Sequence, residues 1–154
     1  LFRWARERGL EAEQDEKLNI LIRKPATPGY EGAPGIMLQA HMDMVCEKAP
    51  EAEHDFMKDP IHWELDGDIL STGRRTTLGA DDGIGVAMAM AVLDDDTLSH
   101  PALEVLFTTA EEDDFSGAGS RQRKADPVRQ LRRDLGRAYR AHCLRPCARG
   151  MERL

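Results

Sequence analysis

The 154 residues leave room for one ordinary domain or a piece of a larger protein, and 41% hydrophobic, 32% charged and 5% aromatic residues suit a globular chain with an aromatic-poor core. This composition excludes disorder throughout, and no apolar run approaches the roughly 18 residues of a membrane-spanning helix. The net charge of −7 hides a division: residues 1–119 hold 10 Lys+Arg against 25 Asp+Glu, a net of −15, whereas residues 120–154 hold 11 against 3, a net of +8, and ten of those eleven are Arg.

The chain opens on Leu1-Phe2-Arg3-Trp4 without an apolar signal core, which makes a cytoplasmic location the expectation. It opens without Met and inside a helical pattern, so further sequence is expected before Leu1. Cys46, Cys143 and Cys147 are too few for a disulfide framework and fit a reducing compartment.

Taken in order, Leu1, Trp4, Ala5 and Leu10 have the spacing of an amphipathic helix that stops near Gly9. Leu18–Arg23 reads as a strand, and Pro25 to Pro34 as a turn-rich loop. Ile36–Ala40 is a second short apolar strand that delivers His41. Residues 46–77 are polar and loop-like, with a strand predicted over Ile61–Leu65 and a turn at Asp66-Gly67-Asp68. After Gly79-Ala80-Asp81-Asp82-Gly83 the apolar run Ile84–Leu93 predicts a helix, and Leu103–Thr108 a third strand. Strands interleaved with helices predict an α/β domain with a largely buried sheet.

Chemistry-bearing residues gather where these elements meet. In His41-Met42-Asp43, extended residues i and i+2 face one way, so Asp43 can steady the imidazole of a ligating His41; taken alone, the pair also describes a surface contact. Asp81 and Asp82 lie between two glycines at the entrance to a helix, which suits a ligand approached closely by backbone and equally suits helix capping, Asp82 above all. Glu111 and Glu112 follow the third strand, and adjacent carboxylates can divide the roles of metal ligand and proton acceptor; as part of the acidic run to Asp114 they also fit a solvated turn. His, Asp and Glu from three successive strand ends, with a spare Asp and Glu, are together the components of a hydrolytic zinc centre.

The stretches Leu38–Val45, His54-Asp55-Phe56, Lys58–Ile61, Thr76–Gly85, Leu103–Leu106 and Glu111-Glu112 resemble the aminoacyl-histidine dipeptidases, the Xaa-His, carnosinase-like branch of the dizinc aminoacylase and carboxypeptidase superfamily. The resemblance runs over residues 1–118 and implies a partial three-layer αβα catalytic domain, with the separate lid or dimerisation domain absent. It implies that His41 ligates one zinc, Asp81 bridges two, and Glu112 ligates the second. Glu111 takes the place of the general base and Asp43 that of the aspartate steadying His41. The activity implied is hydrolysis of dipeptides with a carboxy-terminal histidine, β-alanyl-histidine included, by full-length proteins that form homodimers. Cobalt or manganese could replace zinc on such ligands. The family's further Asp and its late His are not matched: Asp134 lies at about the right distance, but Arg132-Arg133-Asp134-Leu135 does not look like the family segment. The chain alone is therefore expected to be inactive.

Residues 119–154 switch to Arg-rich sequence where the resemblance ends, as a shifted reading frame in a GC-rich gene would produce. The rival reading is a basic helix that binds polyanions, with Pro127 in its first turn, Val128, Leu131, Leu135 and Tyr139 on one face and five arginines around it. No nucleic-acid motif accompanies it, and Cys143 and Cys147 read as free thiols.

Overall fold

The computed structural model describes residues 1–112. The expected boundary at 118/119, the Arg-rich tail, Asp134, Cys143 and Cys147 lie outside the described residues. Two helices and six strands follow in the order α1 (Phe2–Glu7), β1 (Glu11–Gln14), β2 (Ile20–Lys24), β3 (Ile36–His41), β4 (Glu64–Asp66), β5 (Ile69–Ser71), α2 (Ala80–Asp94) and β6 (Leu103–Thr108).

Four strands form one mixed sheet in the order β1-β2-β6-β3, in which β3 and β6 run parallel and the other pairs antiparallel. The period of two along each strand sorts the side chains. Ala12, Ile20, Ile22, Ala40, Val105 and Phe107 share one face, where Ala5 of α1 and Ala89 and Leu93 of α2 close the core over them. Phe107, Val105 and Ile22 are fully enclosed, and each such side chain contributes about 2 kcal/mol relative to exposure. On the opposite face Arg23 reaches Glu11, Glu13 and Glu104 at 2.7, 2.6 and 3.0 Å, a cross-strand charge set fixed by the Glu11↔Arg23 and Arg23↔Glu104 registers. The α/β class expected from the sequence is what forms, and among the described residues both helices lie on one face of the sheet.

The helix α2 is held at both ends. Its start is Gly79, at φ +75°, followed by Asp81 and Asp82 in non-helical conformations, so regular helix begins after Asp82. Its end is capped by Lys24, whose ammonium donates to the carbonyls of Leu93 at 2.9 Å and Asp95 at 3.0 Å. Arg8 pairs with Asp94 and ties the end of α1 to the same place.

Two local expectations are corrected and one strand is added. The predicted strand at Leu18 begins at Ile20, because Asp15 Oδ1 accepts the amides of Lys17 and Asn19 and turns the chain there, with Leu18 at φ +65°. Strand β1 was not expected from Glu-Ala-Glu-Gln; pairing with β2 and the charges of Arg23 override its poor strand propensity. The strand expected over Ile61–Leu65 is confined to β4, Glu64–Asp66, which pairs with β5 in a hairpin closed through Gly67 at φ +58°, within the predicted turn.

Candidate metal centre

Parallel pairing of β3 and β6 sets His41 opposite Thr108, so the segments leaving both strands emerge side by side. The third segment arrives from the loop. Thr77 donates its amide to Glu47 at 2.9 Å and its hydroxyl to Val45 at 2.6 Å, which lays the residues before α2 along those after β3. Gly79 then passes so close to Met44 that a Cβ there would meet its Sδ at 2.8 Å, and its positive φ independently calls for glycine. Asp81 thus reaches the site from the entrance of a helix, where the sequence places it.

His41 is buried at the centre of the cluster. Its Nε2 lies 3.2 Å from Asp81 Oδ1 and 3.9 Å from Glu111 Oε2. Its Nδ1 lies 3.0 Å from the backbone carbonyl of Asp43, which accepts a hydrogen bond from Nδ1–H and leaves Nε2 to face the acids. The Asp43 carboxylate, expected to meet the imidazole, stands with Oδ1 at 3.7 Å, and it is the main-chain carbonyl of Asp43 that Nδ1 meets. That carboxylate is engaged elsewhere, since Oδ2 accepts the amide of Glu112 at 2.9 Å. Oδ1 is buried and without a hydrogen-bond partner among the described residues.

Asp82 divides its carboxylate similarly. Oδ1 accepts the amide of Gly85 at 3.1 Å, the helix-capping bond read from the sequence, and Oδ2 accepts the amide of His41 at 3.3 Å. Asp81, Glu111 and Glu112 are left to face the imidazole.

Burial is the largest influence on His41 and disfavours its charged form. The Asp43 carbonyl, the Asp81 carboxylate and the charges of Glu111 and Asp43 outweigh it and raise its pKa above 6.5. For Asp43 burial again opposes the charge, and the amides of Glu112 and Glu111, its own amide and His41 together hold the pKa below the usual 3.8.

The donor set suits a metal ion. One ligand atom each from His41, Asp81 and Glu112 lie within 4.8 Å of one another. The 3.2 Å between His41 Nε2 and Asp81 Oδ1 is close to the edge of a tetrahedron with bonds of about 2.0 Å, which is about 3.3 Å. Glu111 stands beside this set with its side chain 23% exposed, whereas that of Asp81 is 87% exposed.

Known proteins share this sequence and fold. Over 115 residues, 75% of the chain, it is 52% identical to the cytosol non-specific dipeptidase of Escherichia coli (strain K12). Its structure superposes on aminoacylhistidine dipeptidase from Vibrio alginolyticus with a TM-score of 0.74 at 42% identity over 82% of the chain. The chain is a relative of the aminoacylhistidine dipeptidases. It spans 24% of the length of the Escherichia coli relative and 26% of the Vibrio one. The fold extends further, to the aminopeptidase PepT of Bacillus cereus, with a TM-score of 0.57 at 23% identity over 82% of this chain and 33% of that one. No family model matches the chain. The two dipeptidase relatives are peptide hydrolases by name, and among the described residues no helix is long and apolar enough to cross a membrane.

Some supporting residues carry no sequence signal of their role. Asn19, buried at 1% exposure, accepts the amide of Thr109 at 3.0 Å from 90 positions away. Its place after Asp15 marks a turn, but nothing local names the partner of its side chain.

Proposed function

We propose that this chain carries part of the active site of a metal-dependent dipeptidase that cleaves dipeptides with a carboxy-terminal histidine, β-alanyl-histidine among them, in the cytoplasm. The supporting observation is the gathering of His41 Nε2, Asp81 and Glu112 within 4.8 Å beside the Glu111 carboxylate. One nitrogen and two carboxylates suit zinc, and cobalt or manganese would be accepted by the same donors. His41, Asp81 and Glu112 are the residues that would hold the ions. When bound, such ions acidify the attacking water and polarise the scissile carbonyl.

The chain's own residues do the rest. Glu111 accepts a proton from the attacking water at Oε2 and returns it to the nitrogen of the leaving histidine as the C–N bond breaks. Asp43 acts by position: its carbonyl fixes the imidazole tautomer, and its carboxylate holds the Glu112 amide. The further Asp and His implied by the family resemblance are not matched in this sequence, so the chain alone hydrolyses no dipeptide.

Equilibrium dialysis of the purified chain against zinc, with His41→Ala as control, tests the centre. Bound zinc that disappears in His41→Ala supports it, and a chain that binds no zinc sinks it. Histidine release from β-alanyl-histidine, followed in parallel, separates the second claim. Zinc-dependent release that vanishes in Glu111→Gln would establish the chemistry and overturn the expected inactivity of the isolated chain.

A further inference from the structure

We propose that Asn19 is a positioning residue for the metal centre, setting the place of Glu111 and Glu112 through Thr109; the functional part of this inference rests on the reading given above. Strand β6 ends at Thr108, and the two glutamates follow only after Thr109 and Ala110. Ala110 has φ +54°, a left-handed turn that an alanine does not adopt without support. Two side chains bracket that turn. On its far side Asp43 Oδ2 holds the Glu112 amide at 2.9 Å. On its near side Asn19 Oδ1 holds the Thr109 amide at 3.0 Å, and the Thr109 hydroxyl donates to the Lys17 carbonyl at 2.7 Å.

Chemistry at position 19 is specific to an amide. The carboxylate of Asp15 accepts a hydrogen bond from Asn19 Nδ2 at 2.9 Å, and the Thr109 N–H can only donate. A residue between them must therefore give one hydrogen bond and take another, in a place 1% exposed where an unmet partner is costly. An aspartate at 19 would face the Asp15 carboxylate, and an alanine would leave the Thr109 amide without its acceptor. The turn between β1 and β2, well outside the segments that carry the metal donors, thereby becomes part of the frame on which those donors rest. Residues that hold metal ligands in place from outside typically alter affinity by about 10–100-fold when removed.

Four forms of the full 154-residue chain test this: Asn19→Ala, Asn19→Asp, the exchange Asp15→Asn with Asn19→Asp, and Val105→Ala as a core variant that loses stability away from the turn. Two quantities are read, the zinc dissociation constant and the exchange rate of the Glu112 amide in the metal-free protein. Zinc affinity is expected to fall about 10–100-fold in Asn19→Ala and Asn19→Asp, to recover in the double exchange, and to change less than about twofold in Val105→Ala. Glu112 exchange is expected to quicken in the two Asn19 single variants without a matching change at Ala89 in α2.

Equal zinc affinity in Asn19→Ala and the parent protein would overturn the proposal, as would an equal loss in Val105→Ala. Failure of the double exchange to restore what Asn19→Asp loses would also overturn it. If the parent protein binds no zinc, the exchange rates still decide. A Glu112 amide that responds to Asn19 alone upholds the positioning and leaves the metal reading as the part that failed.

Discussion

Replacing Gly85 with alanine is expected to destabilise this protein, although the same change inside an ordinary helix stabilises it. Alanine gains about 0.5–1 kcal/mol over glycine in a helix. At Gly85, however, a Cβ would sit 2.7 Å from Asp82 Cγ, a distance that no real contact tolerates, so the carboxylate must move. Two hydrogen bonds leave with it, to the amides of Gly85 and His41. Loss of the capping bond costs about 1 kcal/mol. Loss of the charged bond to the partly buried His41 amide costs about 1.5–3 kcal/mol. The net expectation is a loss of about 2 kcal/mol once the helix gain is subtracted.

The same arithmetic reverses in an Asp82→Ala background. There both bonds are already gone and the space is open, so Gly85→Ala should stabilise by about 0.5–1 kcal/mol. Urea unfolding of the four members of this double-mutant cycle measures both signs, and the coupling between the sites should be about 2–3 kcal/mol. If Gly85→Ala stabilises the parent protein, or destabilises equally with and without Asp82, the carboxylate does not hold the helix start to the His41 strand and the reasoning fails.

Leu18 lies at φ +65° and is 60% exposed, so Leu18→Gly removes a left-handed penalty of about 1–2 kcal/mol, offset by about 0.5–1 kcal/mol of added unfolded-state freedom. A higher urea midpoint is expected, and a lower one would refute the strain. Lys24→Met should cost about 1–3 kcal/mol by leaving the carbonyls that end α2 without their donor, visible in the same unfolding assay; an unchanged midpoint would show that water replaces the ammonium. Because the folded-state pKa of His41 is raised, its contribution to the stability of the metal-free protein is full below the unfolded value of about 6.5 and is lost as pH rises through the higher folded value. His41→Gln should flatten that part of the stability profile, and a profile unchanged by it would refute the assignment. Zinc binding runs the opposite way, since the imidazole must be neutral to ligate, so affinity should fall as pH drops through the same window.

How far the sequence discloses this arrangement depends on the range of the interaction concerned. Strand β6 has the expected limits and β3 extends by one residue to include His41, because runs such as Leu-Glu-Val-Leu-Phe-Thr alternate and are bounded by turn residues. The capping bond of Asp82 was readable because its partner lies three residues away. Strand β1 was not readable, since Glu-Ala-Glu-Gln becomes a strand only beside Ile20–Lys24 and the charge of Arg23. The support of Thr109 by Asn19 was hidden for the same reason, as was the use of the Asp43 carbonyl, where i,i+2 geometry pointed to the carboxylate.

Acidic residues surround His41, and their backbone partners separate their roles. Asp82 holds the amides of Gly85 and His41, and Asp43 holds the amide of Glu112 while its carbonyl fixes the imidazole. A carboxylate engaged by two amides, or buried with one, has lost much of its freedom to rearrange around an ion. Asp81, Glu111 and Glu112 keep that freedom, and all three approach the imidazole nitrogen that the Asp43 carbonyl leaves open. The framework carboxylates thus precede the unengaged ones in logic: removal of Asp43 or Asp82 should scatter Asp81, Glu111 and Glu112 even with all three still in the sequence.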